Sequence, residues 1–198
     1  MVNAVPLFAS PLMHLDVSEN TDKLAKYPWE YIQTQTHYQT YTTKDNRVLT
    51  KFPELEKIFL NYFDQIAKEI FLYTETFRIT TSWVTKTEDS HSELHHHKNS
   101  FYSGVYYFDE YSDNSGDLQF KNPLSSYSDF YLIPKEWNIM TSEAWSISPK
   151  KNLLVLFPSY LEHRIVNNKG KRRSLAFNIV PIGEYGFGDS TYNLSWCR

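Results

Sequence analysis

The sequence predicts a mainly β fold, a barrel or sandwich flanked by helix, and three observations carry that expectation. Aromatic residues make up 17% of the chain, with 15 Tyr and 13 Phe, and aromatic side chains favour strands. One strong helical stripe occupies residues 53–72. Beyond it the hydrophobic period falls to two, in short runs separated by turn clusters.

Residues 1–50 are mixed. Val5–Phe8 and Leu12–Val17 are candidate short strands, while the polar stretches Asn20–Lys23 and Tyr38–Asn46 read as connections. The helix over 53–72 places Leu55, Ile58, Phe59, Tyr62, Phe63, Ile66, Ala67, Ile70 and Phe71 on one stripe. Pro53 suits a first turn, and Glu54 and Glu56 suit the positive helix start. The helix is expected to pack outside a sheet as scaffold. Strands follow at Phe77–Thr85, Tyr102–Phe108, Asp117–Phe120, Leu153–Phe157, Arg164–Val166 and Arg172–Val180. Lys98-Asn99-Ser100, Asp113-Asn114-Ser115-Gly116 and Asn167-Asn168-Lys169-Gly170 supply the turns. Between Lys121 and Lys151 the chain is long and irregular, and carries Tyr127, Phe130, Tyr131, Trp137 and Trp145. Such a stretch reads as a lid or binding loop. At 198 residues the chain suits one domain over 1–198, with a barrel core at about 77–180.

Composition also excludes. A net charge of −3 gives no electrostatic case for nucleic acid, and the cluster Lys169, Lys171, Arg172, Arg173 is too short to alter that. The single cysteine, Cys197, cannot form an internal disulfide or a thiolate zinc site, so a reducing, cytoplasmic setting is expected. Met1–Pro11 lacks a secretory signal pattern, and no apolar run is long enough for a membrane span.

Four of the seven His lie at His91, His95, His96 and His97. On extended backbone His95 and His97 share a face, and Glu93 and Asn99 share their parity. Neutral imidazoles two residues apart can hold one metal; the plainer reading is a solvated surface patch. Downstream, His163 follows the apolar run Leu153–Pro158, and Arg172 opens a strand nine positions later. Arg172, Ser174, Ala176 and Asn178 form one face of it, and Leu175, Phe177 and Ile179 the other. A polar inner face suits a barrel enclosing a ligand. An inward Arg with a Ser two residues on forms a fork for a carboxylate. Arg173 belongs to the outer face.

These pieces together resemble the 2-oxoglutarate-Fe(II) oxygenase family. The resemblance rests on Trp83-Val84, His95-His96-His97-Lys98-Asn99-Ser100, Ser103-Gly104-Val105-Tyr106-Tyr107, Gly116–Phe120, Leu156-Phe157-Pro158-Ser159, His163 and Arg172–Asn178, with Pro6–Leu12 as the family's usual start. The tail Pro181–Gly186 resembles members found in marine cyanophages. The resemblance implies a double-stranded β-helix, a jelly-roll, cupin-like barrel holding Fe(II). Carried over by position, His95, His97 and His163 would hold the metal. Arg172 and Ser174 would bind the far carboxylate of 2-oxoglutarate, aided by Tyr107, or by Tyr106 if the strand's parity is opposite. The implied reaction consumes 2-oxoglutarate and O₂, yields succinate and CO₂, and hydroxylates a C–H bond. His97 stands where most relatives have a carboxylate. Glu93, through His91-Ser92-Glu93, and Asp117 are alternative ligands. Asn152 stands where the family usually has Gly.

The substrate is not written in the sequence. A protein or peptide side chain, prolyl among them, is the preferred expectation; a small molecule or nucleobase is the alternative. Two other classes compete: a cupin-like zinc hydrolase or isomerase, for which three His also suffice, and a barrel that binds no metal. Oligomeric state is open.

Overall fold

Helix α2 (Pro53–Glu69) forms where the four-residue step predicts it. Pro53 opens it, Glu54 and Glu56 lie in its first turn, and Leu55, Phe59, Phe63 and Ala67 are its buried stripe. It stops short of residue 72 because Leu72 takes a left-handed conformation (φ 58°). The computed structural model describes residues 5, 9–19, 21–34, 40–125, 130 and 132–194. Most of the strand expected at Val5–Phe8 lies outside the described residues, as do Tyr127, Tyr131 and Cys197.

The strands are β1 (Met13–Asp16), β2 (Tyr31–Gln33), β3 (Thr40–Thr43), β4 (Thr76–Glu88), β5 (Tyr102–Tyr106), β6 (Ser115–Lys121), β7 (Ala144–Ile147), β8 (Leu153–Pro158), β9 (His163–Asn168) and β10 (Lys171–Ile182). Seven form one antiparallel sheet in the order β1-β8-β5-β10-β4-β3-β2, and three form a second in the order β7-β6-β9. An isolated bridge joins His95 to His163, extending the smaller sheet beyond β9. From β4 onward the chain alternates between the sheets: β4, the His95 segment, β5, then β6 and β7, β8, β9 and β10. That alternation is the double-stranded β-helix.

The large sheet has two faces, each with its own core. Its outer face carries Tyr106, Leu154, Leu156, Leu175, Phe177 and Ile179 against Phe59 and Phe63 of α2. Phe177 stacks on Phe59 at 5.4 Å, and the tip of its ring takes the space at Gly104 that a Cβ would need. Its inner face carries Val105, Tyr107, Val155 and Phe157 against Leu118 and Phe120 of β6.

Three connections differ from expectation. Thr40–Thr43, inside the expected connection Tyr38–Asn46, is β3. Its polar threonines hide the signal, because a neighbouring strand and not an apolar face orders it. Asp22–Lys26, which overlaps the connection at Asn20–Lys23, is a short helix, α1. The irregular stretch 121–151 contains β7, paired to β6. Asn152 has φ 68°, the left-handed conformation Asn tolerates in place of Gly.

Candidate active site

His95, His97 and His163 have ligand atoms within 4.8 Å of one another, and their rings lie with centroids 4.5–5.6 Å apart. The paired backbones hold them: His95 N–H donates to the His163 carbonyl at 3.0 Å, and His163 N–H to the His95 carbonyl at 2.8 Å. Both His95 and His163 fix their rings by the same local device. Nδ1 of each donates to the carbonyl two residues back, Glu93 at 2.8 Å and Leu161 at 2.9 Å. An imidazole whose Nδ1–H is so committed carries its lone pair on Nε2. Burial, and the neighbouring His95, hold the His163 pKa down at about 3. Burial also lowers that of His97. Both imidazoles are therefore neutral at pH 7, as metal ligands must be. His96 points away and is exposed.

Farther along β10, Arg172 is 3% exposed. Its Nη2 donates to the Tyr107 hydroxyl at 2.8 Å, and its guanidinium lies 5.1 Å from the Tyr107 ring centre. Its Nε and Nη1 are buried without a hydrogen-bond partner among the described residues. Burial raises the Tyr107 pKa although Arg172 opposes it, so the hydroxyl keeps its proton. Ser174 is buried on the same face two residues on. Thr87 lies directly opposite Arg172, and Thr40 opposite Thr87. Both hydroxyls are buried without partners too. Unpaired buried donors each cost about 1–3 kcal/mol, and an anion would answer several of these together. Tyr106 has the other parity: its hydroxyl bonds Thr21 at 2.6 Å, on the helix side.

Residues 81–178 match the model of the family described as "Putative 2OG-Fe(II) oxygenase". Over that stretch, 98 of the 198 residues, the chain matches the family. This oxygenase family works with Fe(II), 2-oxoglutarate and O₂. No curated protein matches the chain in sequence. Among solved structures, HygX from Streptomyces hygroscopicus with nickel and 2-oxoglutarate bound is similar at TM-score 0.60 and 11% identity, over 87% of this chain and 83% of that one. A Pseudomonas putida prolyl-4-hydroxylase is similar at TM-score 0.58 and 13% identity, over 89% and 96%. A Trichoplax adhaerens prolyl hydroxylase, in complex with a hypoxia inducible factor peptide fragment, gives 0.53 and 12%, over 75% and 66%. At these identities the likeness is one of fold.

The residues of this chain fit the family's groups. Three imidazole nitrogens suit iron, and the unpaired Arg172 donors suit a carboxylate. Glu93 and His91 are exposed, and neither they nor Asp117, half-buried on β6, join the three-His group. Glu93 serves His95 through its backbone instead. Arg173 faces outward as parity predicts but is not idle. It grips Asp109 with two bonds of 2.7 Å and donates to the Ala25 carbonyl. Sequence reasoning gave no role to Asn178, Ser103, Thr87 or Thr40. The shared parity of Asn178 and Arg172 was the available signal.

Beside the histidines lies a cleft of about 1410 Å³. The loop supplies Leu124, Phe130, Leu132, Ile133, Trp137, Ile139 and Met140, and β7 adds Trp145. None of the three His lines it. Its inner wall includes Phe120, whose ring is 5.9 Å from that of His163, and Leu161, whose carbonyl holds His163.

Proposed function

We propose that the chain is an Fe(II)- and 2-oxoglutarate-dependent dioxygenase that hydroxylates a C–H bond of a protein or peptide side chain, prolyl among the candidates. The observation that carries it is the pairing of a three-imidazole cluster with a buried, under-satisfied Arg172 inside one barrel. A zinc hydrolase needs the first but has no use for the second.

In this reading His95, His97 and His163 offer Nε2 to the metal. Arg172 receives the far carboxylate of 2-oxoglutarate with Nε and Nη1, and Ser174 and Tyr107 add hydroxyls. Phe120 and Phe157, packed on His163, keep that side dry. Bound iron would supply the oxidative chemistry in which 2-oxoglutarate and O₂ become succinate, CO₂ and an oxygen atom delivered to the substrate. The loop 121–151 would form the wall that selects the substrate; the breadth of its apolar cleft supports a peptide. The domain is taken as the whole of 1–198, with its core at about 77–180. The lone cysteine supports a reducing, cytoplasmic setting. Among the described residues no helix is long and apolar enough to cross a membrane.

Anaerobic calorimetric titration of 2-oxoglutarate into the iron-loaded protein tests the reading. Arg172→Ala should retain iron and lose affinity by orders of magnitude, since an unpaired buried carboxylate costs about 3–5 kcal/mol. Failure of the parent to bind 2-oxoglutarate would end the oxygenase reading, and full iron binding by His163→Ala would end the ligand assignment. Turnover of prolyl peptides against small molecules then decides the substrate.

A further inference from the structure

An Asp or Glu offers a metal its lone pairs however it turns. An imidazole offers one at Nε2 only when Nδ1 holds the proton. A histidine in the carboxylate's place therefore needs something to choose its tautomer. For His95 and His163 a carbonyl two residues back does so. At His97 the acceptors come from other strands.

Nδ1 of His97 lies 2.8 Å from Asn178 Oδ1 and 2.9 Å from Ser103 Oγ. The proton directions around it can be traced. Ser100 donates to the Tyr102 carbonyl at 2.8 Å, and Ser159 donates to Ser100 at 2.8 Å. Ser103 has one proton and three neighbours that could take it, Ser159 at 2.8 Å, Asn178 Oδ1 at 3.1 Å and His97 Nδ1 at 2.9 Å. Asn178 Nδ2 donates to Thr81 Oγ1 at 3.1 Å, which turns Oδ1 toward the ring. An amide oxygen only accepts, so the 2.8 Å contact with Asn178 Oδ1 puts the proton on His97 Nδ1, and Ser103 then accepts beside it and gives its own proton to Ser159 or Asn178. Ser103 is fully buried and Ser159 1% exposed, so water does not compete for these bonds.

We infer that Asn178, braced by Thr81 and by the hydroxyl chain Ser103–Ser159–Ser100, is a positioning residue that holds His97 in the Nδ1–H tautomer and so lets it replace the carboxylate ligand. The inference rests on the iron reading proposed above. It also fixes charge: three neutral ligands leave the metal its full 2+, and Arg172 supplies a further positive charge for the dianionic cosubstrate.

The test is anaerobic Fe(II) affinity, with the Co(II) absorption spectrum as a report on the ligand set, in parent, Asn178→Ala, Asn178→Asp and the same Asn178→Ala change made in His97→Asp. Removing a hydrogen-bond partner of a metal ligand typically weakens binding roughly 10–100-fold, and Asn178→Ala should do so with an altered Co(II) spectrum. Asn178→Asp, which can only accept, should bind at least as tightly as the parent. In the His97→Asp background Asn178→Ala should cost little, because a carboxylate needs no tautomer. Parent-like affinity in Asn178→Ala would overturn the inference. So would equal losses in both backgrounds, which mark a merely structural role. Weaker binding by Asn178→Asp than by Asn178→Ala would mean that the amide NH₂ faces His97 and the tautomer is the opposite one. Should the parent itself bind no Fe(II), the underlying metal reading falls instead.

Discussion

The two faces of the large sheet use the same strands for opposite purposes. On the outer face Phe177, Tyr106 and Leu175 are sealed against α2, with Gly104 emptied to admit the Phe177 ring. On the inner face, one residue away along the chain, Asn178, Tyr107 and Ser174 are polar and border the histidines or Arg172. On the outer face the rings fill one another's space, and the buried hydroxyl it holds, that of Tyr31, lies beside Arg173. The inner face holds several buried donors with no partner among the described residues: Arg172 Nε and Nη1 and the Thr87 and Thr40 hydroxyls. A face finished by packing carries stability; a face left unfinished in polar atoms is built for something that arrives later.

The largest effect on stability should come from the finished face. Phe177→Ala removes a fully buried ring that touches both Phe59 and the backbone at Gly104. Such truncations cost about 3–5 kcal/mol, or roughly 10 °C in melting temperature for a domain of this size. Thermal unfolding should show that loss, while the molecules still folded should bind 2-oxoglutarate as the parent does. A parent-like melting curve would mean that α2 adds little to the sheet.

A sharper form of the comparison uses adjacent arginines. Arg173, on the outer face, pairs with Asp109 through two short bonds, with side chains 27% and 20% exposed. Arg173→Ala should cost about 1–2 kcal/mol, discounted from the fully buried case for partial exposure. Arg172→Ala removes a cation with two donors already unpaired and should leave stability within about 1 kcal/mol of the parent. Chemical denaturation of both variants without ligand checks this. A larger loss for Arg172→Ala than for Arg173→Ala would reverse the assignment of the faces.

Sequence alone exposed the finished face well and the unfinished one in part. The four-residue step of α2, the two-residue alternation of β4 and β10 and the unbroken apolar run of β8, which is buried at every position, are direct prints of burial, so these elements lie where the pattern puts them. The parity of Arg172, Ser174 and Asn178 was legible for the same reason. What failed to show was order imposed by neighbours. β3 is held by its pairing to β4 and writes no apolar pattern of its own, and β7 is an exposed edge strand. The hydroxyl chain behind His97 joins Ser100, Ser103 and Ser159 across 59 positions, and a serine carries no sign in the sequence of which partner it will meet. The choice between Tyr106 and Tyr107 needed the strand's absolute orientation, which alternation cannot supply.

The smallest change in stability, and the one that probes the border between the faces and solvent, belongs to the loop over the cleft. Trp137 is 47% exposed and Trp145 45%, yet their settings differ. Trp145 sits on β7 opposite Phe120 and so takes part in the small sheet. Trp137 lies in the irregular stretch, among exposed Leu132, Ile133 and Ile139. Surface truncations outside a packed core fall within about 0.5 kcal/mol, so Trp137→Ala should melt like the parent. It should also keep iron and 2-oxoglutarate, because, among the described residues, none of the groups assigned to either subsite lines the cleft. If the cleft receives the substrate, the variant should raise KM for it and uncouple 2-oxoglutarate consumption from product. Removing residues 132–140 should end coupled turnover while sparing cosubstrate binding. Unchanged kinetics in both would show that these side chains cover the outside of the barrel and choose nothing, and the substrate would then have to approach the histidines from the side of Trp83, whose ring lies 5.5 Å from that of His97.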